Sequence, residues 1–210
     1  MRGKPIIAER KRIAPHAYNW IEGQTWDELR WFGSLRIMAE PCKAEGTTKR
    51  RMRLRAASAE DFEELWKIDQ ESFEPGIAYS RGELASYMRR ATAFTLVAET
   101  ERDARAAKVL PKADSIVGFV VGQLLNRGIG HIITIDIRPA AQRLGVGTAL
   151  LEAAEEQIRT GGGHSIFLEV AVDNEGAIRF YKKRGYSTVR TLPRYYMGEV
   201  DGLLMAKRLP

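Results

Sequence analysis

Cysteine is nearly absent: Cys42 is the only one in 210 residues. An internal disulfide is therefore impossible, and a reducing cytoplasm is the expected location. Histidine is almost as scarce. His16, His131 and His164 are scattered without the spacing of a metal site, so no metal is expected. Long apolar runs are missing too, none approaching the ~18–20 residues that cross a bilayer, and no membrane partner is expected. The start, MRGKPIIAERKRIAPH, is basic but lacks the apolar stretch of a secretion signal. What the chain does have is ordinary globular material: hydrophobic residues make up 44%, enough to build a core.

Charge is distributed unevenly. Residues 1–51 carry 11 basic against 6 acidic side chains, whereas residues 52–210 carry 22 against 21. A basic arm of this kind suits contact with a ribosome, nucleic acid or an acidic partner, although a solvated surface is the plainer account. The stretch EPCKAEGTTKRRM (40–52) reads as a linker, and MRLRAASAEDFEELWKID starts afresh with a short strand, Ser58 as a helix cap and acidic residues in a first turn. The expected organisation is a basic extension and linker over 1–51 and one domain over 52–210. Within the extension, TWDELRWFGSLRIM (25–38) has helical spacing.

Beyond residue 52 the elements alternate. Helices are expected over 59–71, 81–90, 146–160 and 174–184, and strands over 94–99, 116–125, 131–139 and 165–172, with two more strand runs in the tail. A loop-like 72–80 joins the first two helices, and a charged connection covers 100–115. Three antiparallel strands followed by β–α–β–α–β–β imply a mixed α/β sheet with helices on its faces.

The stretch PAAQRLGVGTALLEAAEEQI (139–158) places Gly145 and Gly147 between a strand and a helix. N–H groups at a helix start lack partners and carry the positive end of the dipole, and glycines let an anion approach the main chain. This arrangement suits a pyrophosphate. A Walker loop needs Gly-Lys-Ser/Thr, which is absent, and a dinucleotide fingerprint needs a third glycine where Leu150 stands. A plain strand-to-helix turn is the alternative.

The motif resembles the pyrophosphate loop of the GNAT superfamily of acetyl-CoA-dependent N-acetyltransferases, Gln/Arg-x-x-Gly-x-Gly/Ala, matched by Gln142, Gly145 and Gly147. Downstream, LEVAVDNEGAIRFYKKRGY (168–186) is similar to the strand–Asn–helix–Tyr–Gly–aromatic segment of the same family. The resemblance covers about 53–208. SFEPGIAYS (72–80) and LPRYYMGEVDGLLM (192–205) resemble the substrate loop and terminal hairpin of RimI-like α-amino acetyltransferases. Many members have Arg where this chain has Ala171.

The resemblance implies the GNAT fold: a mixed central sheet with splayed fourth and fifth strands and helices on both faces. It implies acetyl-CoA held by main chain along Ile135, Asp136 and Ile137, by Gln142, Arg143, Leu144, Gly145, Val146, Gly147 and Thr148, and by Asn174 and Tyr181. Glu169, the one charge in the apolar strand SIFLEVAV, is the implied base. Tyr181 is the implied acid at the thiolate, and His131 a candidate proton relay. From the residues alone, a salt-bridged Glu169, a surface His131 and a core Tyr181 are the alternatives, with Phe180 the better core candidate beside Tyr181. Phe73, Glu74, Tyr79, Tyr195 and Tyr196 are the expected substrate contacts. The activity so implied is acetyl transfer to a peptide or protein N-terminus. Lysine or small-amine acetylation, or a non-catalytic CoA-binding module, are the rivals.

Overall fold

A computed structural model describes residues 52–73, 78–100 and 116–210. Strand β1 (Met52–Ala56) turns Met52 and Leu54 toward the core, as its alternating pattern requires. A short 3-10 turn follows, in which the Ser58 N–H donates to Asp61 Oδ2 at 2.6 Å. Arg55 clamps this corner, with Nη1 2.6 Å from Asp61 Oδ2 and Nε 2.9 Å from Glu99 Oε1. Its guanidinium holds the Asp61 carboxyl down at about 2.

Helices α1 (Phe62–Ser72) and α2 (Arg81–Met88) come next. Ser80 starts α2 with a capping box: the Glu83 N–H donates to Ser80 Oγ at 3.3 Å, and the Ser80 N–H donates to Glu83 Oε2 at 3.0 Å. The chain then forms β2 (Ala93–Thr100), β3 (Ile116–Leu125), β4 (Ile129–Ile137), α3 (Val146–Thr160), β5 (Ser165–Ala171), α4 (Glu175–Lys182), β6 (Ser187–Tyr196) and β7 (Val200–Arg208). The strands make one seven-stranded sheet in the order β1-β2-β3-β4-β5-β7-β6. All neighbours are antiparallel except β4 and β5. Their parallel pairing requires a crossover, which α3 supplies.

Two apolar layers cover the sheet. On one face α3 and α4 place Leu150, Leu151, Ala154, Ile158, Ala177 and Tyr181 over Val120, Ile132, Ile135, Leu168 and Val170. On the other, α1 and α2 place Leu65, Ile68 and Leu84 over Val97, Phe119, Val121 and Ile133. The two faces alternate along β2, and along β3 from Gly118 onward, beyond a bulge at Val117 that puts Ile116 and Phe119 in the same layer. Along β4 they do not, because Val121 faces Thr134 while Gly122 faces Ile132, leaving Ile133 as an extra residue. This bulge resets the alternation: Ile132 and Ile135, three apart, both join the α3 layer.

The expected architecture, a mixed sheet splayed between its fourth and fifth strands with helices on both faces, is what the structure shows. Details differ at element ends. β4 begins at Ile129, two residues before the expected start, and stops at Ile137 because Pro139, which lacks an N–H, opens a 3-10 turn. Helix α4 is shorter than 174–184, since Asn174 is its cap and Gly185 turns at φ 86. The helix expected at 25–38 and the connection after Thr100 lie outside the described residues. Among the described residues no helix is long and apolar enough to cross a membrane.

We propose residues 52–210 as the catalytic domain. A chain starting at Met52 is expected to unfold in one cooperative transition close to that of the full chain, followed by circular dichroism. An insoluble or non-cooperative product would place residues 1–51 in the core.

Candidate active site

β4 ends at Ile137, and the Pro139 turn leads into Gln142–Thr148. Arg143 (φ 61) and Gly145 (φ 86) adopt left-handed backbone, which winds the chain tightly into α3. Gly145 is the N-cap, and the first bond closing onto it runs from the Ala149 N–H to the Gly145 carbonyl at 3.1 Å. The N–H groups ahead of Ala149 have no acceptor within the helix. The first turn of α3 has no acidic residue to offset the positive end of its dipole.

A cleft of about 230 Å³ opens here. Gln142, Arg143, Gly145, Gly147 and Thr148 line it, with Ile137 and Phe180 as apolar walls. A Cβ on Gly147 would come within 2.9 Å of Ile137 Cδ1, so glycine is what seats α3 against the end of β4. Val146 is buried in the core and Leu144 is 66% exposed. Neither side chain lines the cleft, which leaves their main chain as what they can offer it. These features fit a pyrophosphate: open N–H groups, a helix dipole, no carboxylate in the first turn, and no Cβ at Gly145 or Gly147.

Beside the cleft the sheet forks. β4 and β5 pair only over Ile129–His131 and Ser165–Phe167. Beyond them β4 is held by β3 to Ile137, and β5 by β7 to Ala171. The inner edge of β4 at Ile135, Asp136 and Ile137 therefore faces the gap without β5 as a partner. The Ile137 carbonyl accepts long bonds of 3.4 Å from Gln142 Nε2 and from Ser72 Oγ.

At the crotch of the fork, His131 Nε2 lies 2.9 Å from Glu169 Oε2. His131 is 1% and Glu169 7% exposed, and the imidazole stacks on Phe167 with centroids 4.3 Å apart and planes 7° apart. Glu169 Oε1 is buried and has no hydrogen-bond partner among the described residues. Nearby on β4, Thr134 Oγ1 donates to Asp136 Oδ1 at 2.6 Å, both residues being fully buried.

Helix α4 closes the fork from the α3 side. Asn174 accepts from the Ala177 N–H at 3.0 Å and is fully buried as the cap. Tyr181 is fully buried in the α3 layer, between Phe180 (5.1 Å between centroids) and Tyr186 (5.6 Å). The expected division between these neighbours is reversed: Phe180, the expected core residue, is only partly buried and walls the cleft. Arg184, unforeseen from sequence, donates from Nη2 to Thr148 Oγ1 and places Cζ 4.1 Å from the Phe180 ring centroid. The four-residue spacing from Phe180 to Arg184 was the available signal.

Of the expected substrate residues, those described lie at the end of α1, at the start of α2 and in the β6–β7 hairpin. Phe73 ends α1 and is partly buried, while Glu74 lies outside the described residues. Tyr79 is 8% exposed, with its ring in the α1–α2 core against Tyr87. Its N–H donates to Asp69 Oδ2 at 2.8 Å, and its carbonyl accepts from Trp66 Nε1 and Gln70 Nε2. These contacts anchor the loop. Tyr196 is 4% exposed, and Tyr195 is partly buried over Gly202, beside the cluster that contains Phe167. Arg138, also unforeseen, fastens the end of β4 to α1 through Glu64 and Glu71, and its Nε donates to the Ile116 carbonyl at 3.0 Å.

Residues 60–186, more than half of the chain, match the acetyltransferase (GNAT) family. The chain belongs to that family. Over 96 residues it is 38% identical to an uncharacterized N-acetyltransferase of Methanocaldococcus jannaschii, covering 45% of this chain and 61% of that one. Over 169 residues it is 29% identical to an N-alpha-acetyltransferase of Sulfurisphaera tokodaii, covering 79% of this chain and 98% of that one. The structure of Ard1 from Thermoplasma volcanium superimposes with a TM-score of 0.64 at 28% identity, covering 76% of this chain and 98% of that one. As a GNAT enzyme the protein uses acetyl-CoA as acetyl donor, and the glycine cleft fits the donor's pyrophosphate.

Gly145→Val and Gly147→Val are each expected to abolish acetyl-CoA binding in calorimetry. The first forces a β-branched residue to φ 86, where even an ordinary side chain costs roughly 1–2 kcal/mol, and the second collides with Ile137. Arg143→Ala is expected to weaken binding less. Unchanged affinity in both valine variants would refute the main-chain cradle.

Proposed function

We propose that this acetyltransferase modifies the α-amino group of a peptide or protein N-terminus, with Glu169 as the proton acceptor. The observation that carries the proposal is the buried His131–Glu169 pair at the crotch of the fork, at 2.9 Å, with one carboxylate oxygen still without a partner. His131 fixes Oε2 and Phe167 fixes His131. That leaves Oε1 to take a proton from the incoming amine, directly or through one water. Bound acetyl-CoA supplies the activated acetyl thioester. As the amine nitrogen bonds to the acetyl carbon and the carbon–sulfur bond breaks, the Tyr181 phenol supplies the proton for the departing sulfur. Cys42 lies outside the family match, and no covalent enzyme intermediate is invoked.

The acceptor follows from chemistry and from similarity. An α-amine, pKa ~7.7–8, is partly neutral at physiological pH, whereas a lysine near ~10.4 asks much more of its base. The Sulfurisphaera tokodaii protein, matched over 98% of its length, is an N-alpha-acetyltransferase by name. Tyr195, partly buried and beside the Phe167 cluster, is the proposed wall for the first peptide units, combining an apolar ring with a polar tip. Ala171 is fully buried and offers no side-chain donor at the position where many relatives carry Arg. The basic excess of residues 1–51 suits contact with nucleic acid or a ribosome in the cytoplasm.

Glu169→Gln and Tyr181→Phe are each expected to lower kcat by ~10²–10⁴-fold with acetyl-CoA affinity intact. Rates near wild type would reduce either residue to a structural part. Paired peptides test the acceptor: one with a free N-terminus and no lysine, the other N-terminally blocked with a single lysine. Acetylation of the first is expected, and preference for the second would overturn the assignment. Tyr195→Ala is expected to raise the peptide KM without changing acetyl-CoA affinity.

A further inference from the structure

Arg184 stands at the cleft in an unusual electrostatic position. Its Nη2 donates to Thr148 Oγ1 in the first turn of α3, its Nη1 donates to the Phe180 carbonyl at 3.4 Å, and its Cζ lies over the Phe180 ring. Nε is buried with no hydrogen-bond partner among the described residues. Among the described residues its contacts are a hydroxyl, a carbonyl and a ring, with no carboxylate among them. The first turn of α3 also lacks an acidic residue. A fixed cation therefore sits beside the positive end of a 15-residue helix, where like charges repel. The Phe180 carbonyl at the end of α4 offsets part of this charge, and an anion in the cleft would offset both the remainder and the dipole of α3.

The hydrogen bond to Thr148 has a further consequence. A hydroxyl has one proton to donate and two lone pairs. With Arg184 donating into a lone pair, the hydroxyl proton must be directed elsewhere, and Thr148 lines the cleft. The guanidinium thus turns an ambivalent hydroxyl into a donor.

We propose that Arg184 is a positioning residue for the pyrophosphate of CoA, acting through Thr148 and through a charge that no carboxylate among the described residues pairs. The proposal rests on acetyl-CoA as the donor and is independent of which amine is acetylated. It adds a side-chain component to an otherwise main-chain cradle, drawn from the turn that follows helix α4, 36 residues along the chain from Thr148.

Calorimetry on the full chain with CoA, dephospho-CoA and pantetheine, without peptide, tests it. Arg184→Ala is expected to weaken CoA and dephospho-CoA by the same factor, about 10- to 100-fold for a charge-assisted contact, and to leave pantetheine unchanged. Thr148→Val is expected to weaken the same two ligands, and the double variant to lose less than the product of the single losses, the mark of residues acting as a unit. Arg184→Lys keeps the charge but not the fork and is expected to fall in between. It also carries the test if Arg184→Ala does not fold. The ligand-free melting temperature is expected to change little, while the upward shift produced by CoA shrinks. Wild-type CoA affinity in Arg184→Ala or Arg184→Lys would overturn the proposal. So would a loss confined to CoA, which would move the residue to the 3′-phosphate, or multiplicative losses in the double variant. Because no acceptor is present, a failed N-terminal assignment would leave these results untouched.

Discussion

β4 and β5 run side by side for three residue pairs and then separate, and most of the functional geometry follows from that parting. Main-chain N–H and C=O groups are costly to bury without partners. Each strand keeps a neighbour on its far side, β3 for β4 and β7 for β5, so both remain ordered while their inner edges face a gap. The strand order places β7 between β5 and β6, which secures β5 along its length without refilling the fork. The bulge at Ile133 bends β4 where the strands begin to diverge. An extended ligand that offers amide groups can take up the exposed edge as another strand would.

The fork also separates opposite charges. Around the N-terminus of α3 lie the helix dipole, Arg143 and Arg184, a setting for the polyanionic donor. On the opposite side of the sheet lie Glu169 and Asp136, buried carboxylates, which under the proposed assignment form a setting for an amine that arrives as an ammonium. Two substrates of opposite charge can therefore approach one point from different directions, each drawn by local electrostatics. His131 contributes by holding a single oxygen of Glu169, which fixes the remaining one in direction as well as position.

The acceptor side of the fork is built to hold its shape. Arg138 ties the end of β4 to Glu64 and Glu71 on α1, and Ser72 bonds back to the Ile137 carbonyl. The loop that leaves α1 at Phe73 is gripped again at Tyr79 by Asp69, Trp66 and Gln70. The end of β4 and the α1 side of the fork are thus parts of one packed unit.

The sequence by itself determined whatever depends on neighbours a few residues apart. Helix α3 was legible from residue 146 to 160 because its caps and periodicity are local, and the Gln142–Gly147 motif was legible because left-handed turns and open N–H groups constrain residue type directly. Element order sufficed for the mixed sheet, since a parallel pair needs a crossover helix. The bulge at Ile133 was not legible, because it exists only in the register between β3 and β4. Nor was the His131–Glu169 contact, which joins residues 38 apart and exists because β4 and β5 still pair at His131. The exchange of Phe180 and Tyr181 between wall and core has the same origin: adjacent helical positions differ by about 100° in direction, and what packs opposite decides which is buried. Arg184 meets Thr148 only because the fold sets the end of α4 against the start of α3. Local backbone sterics write elements and turns into the chain, whereas side-chain meetings across a sheet depend on register, bulge and helix rotation, which only the packed structure sets.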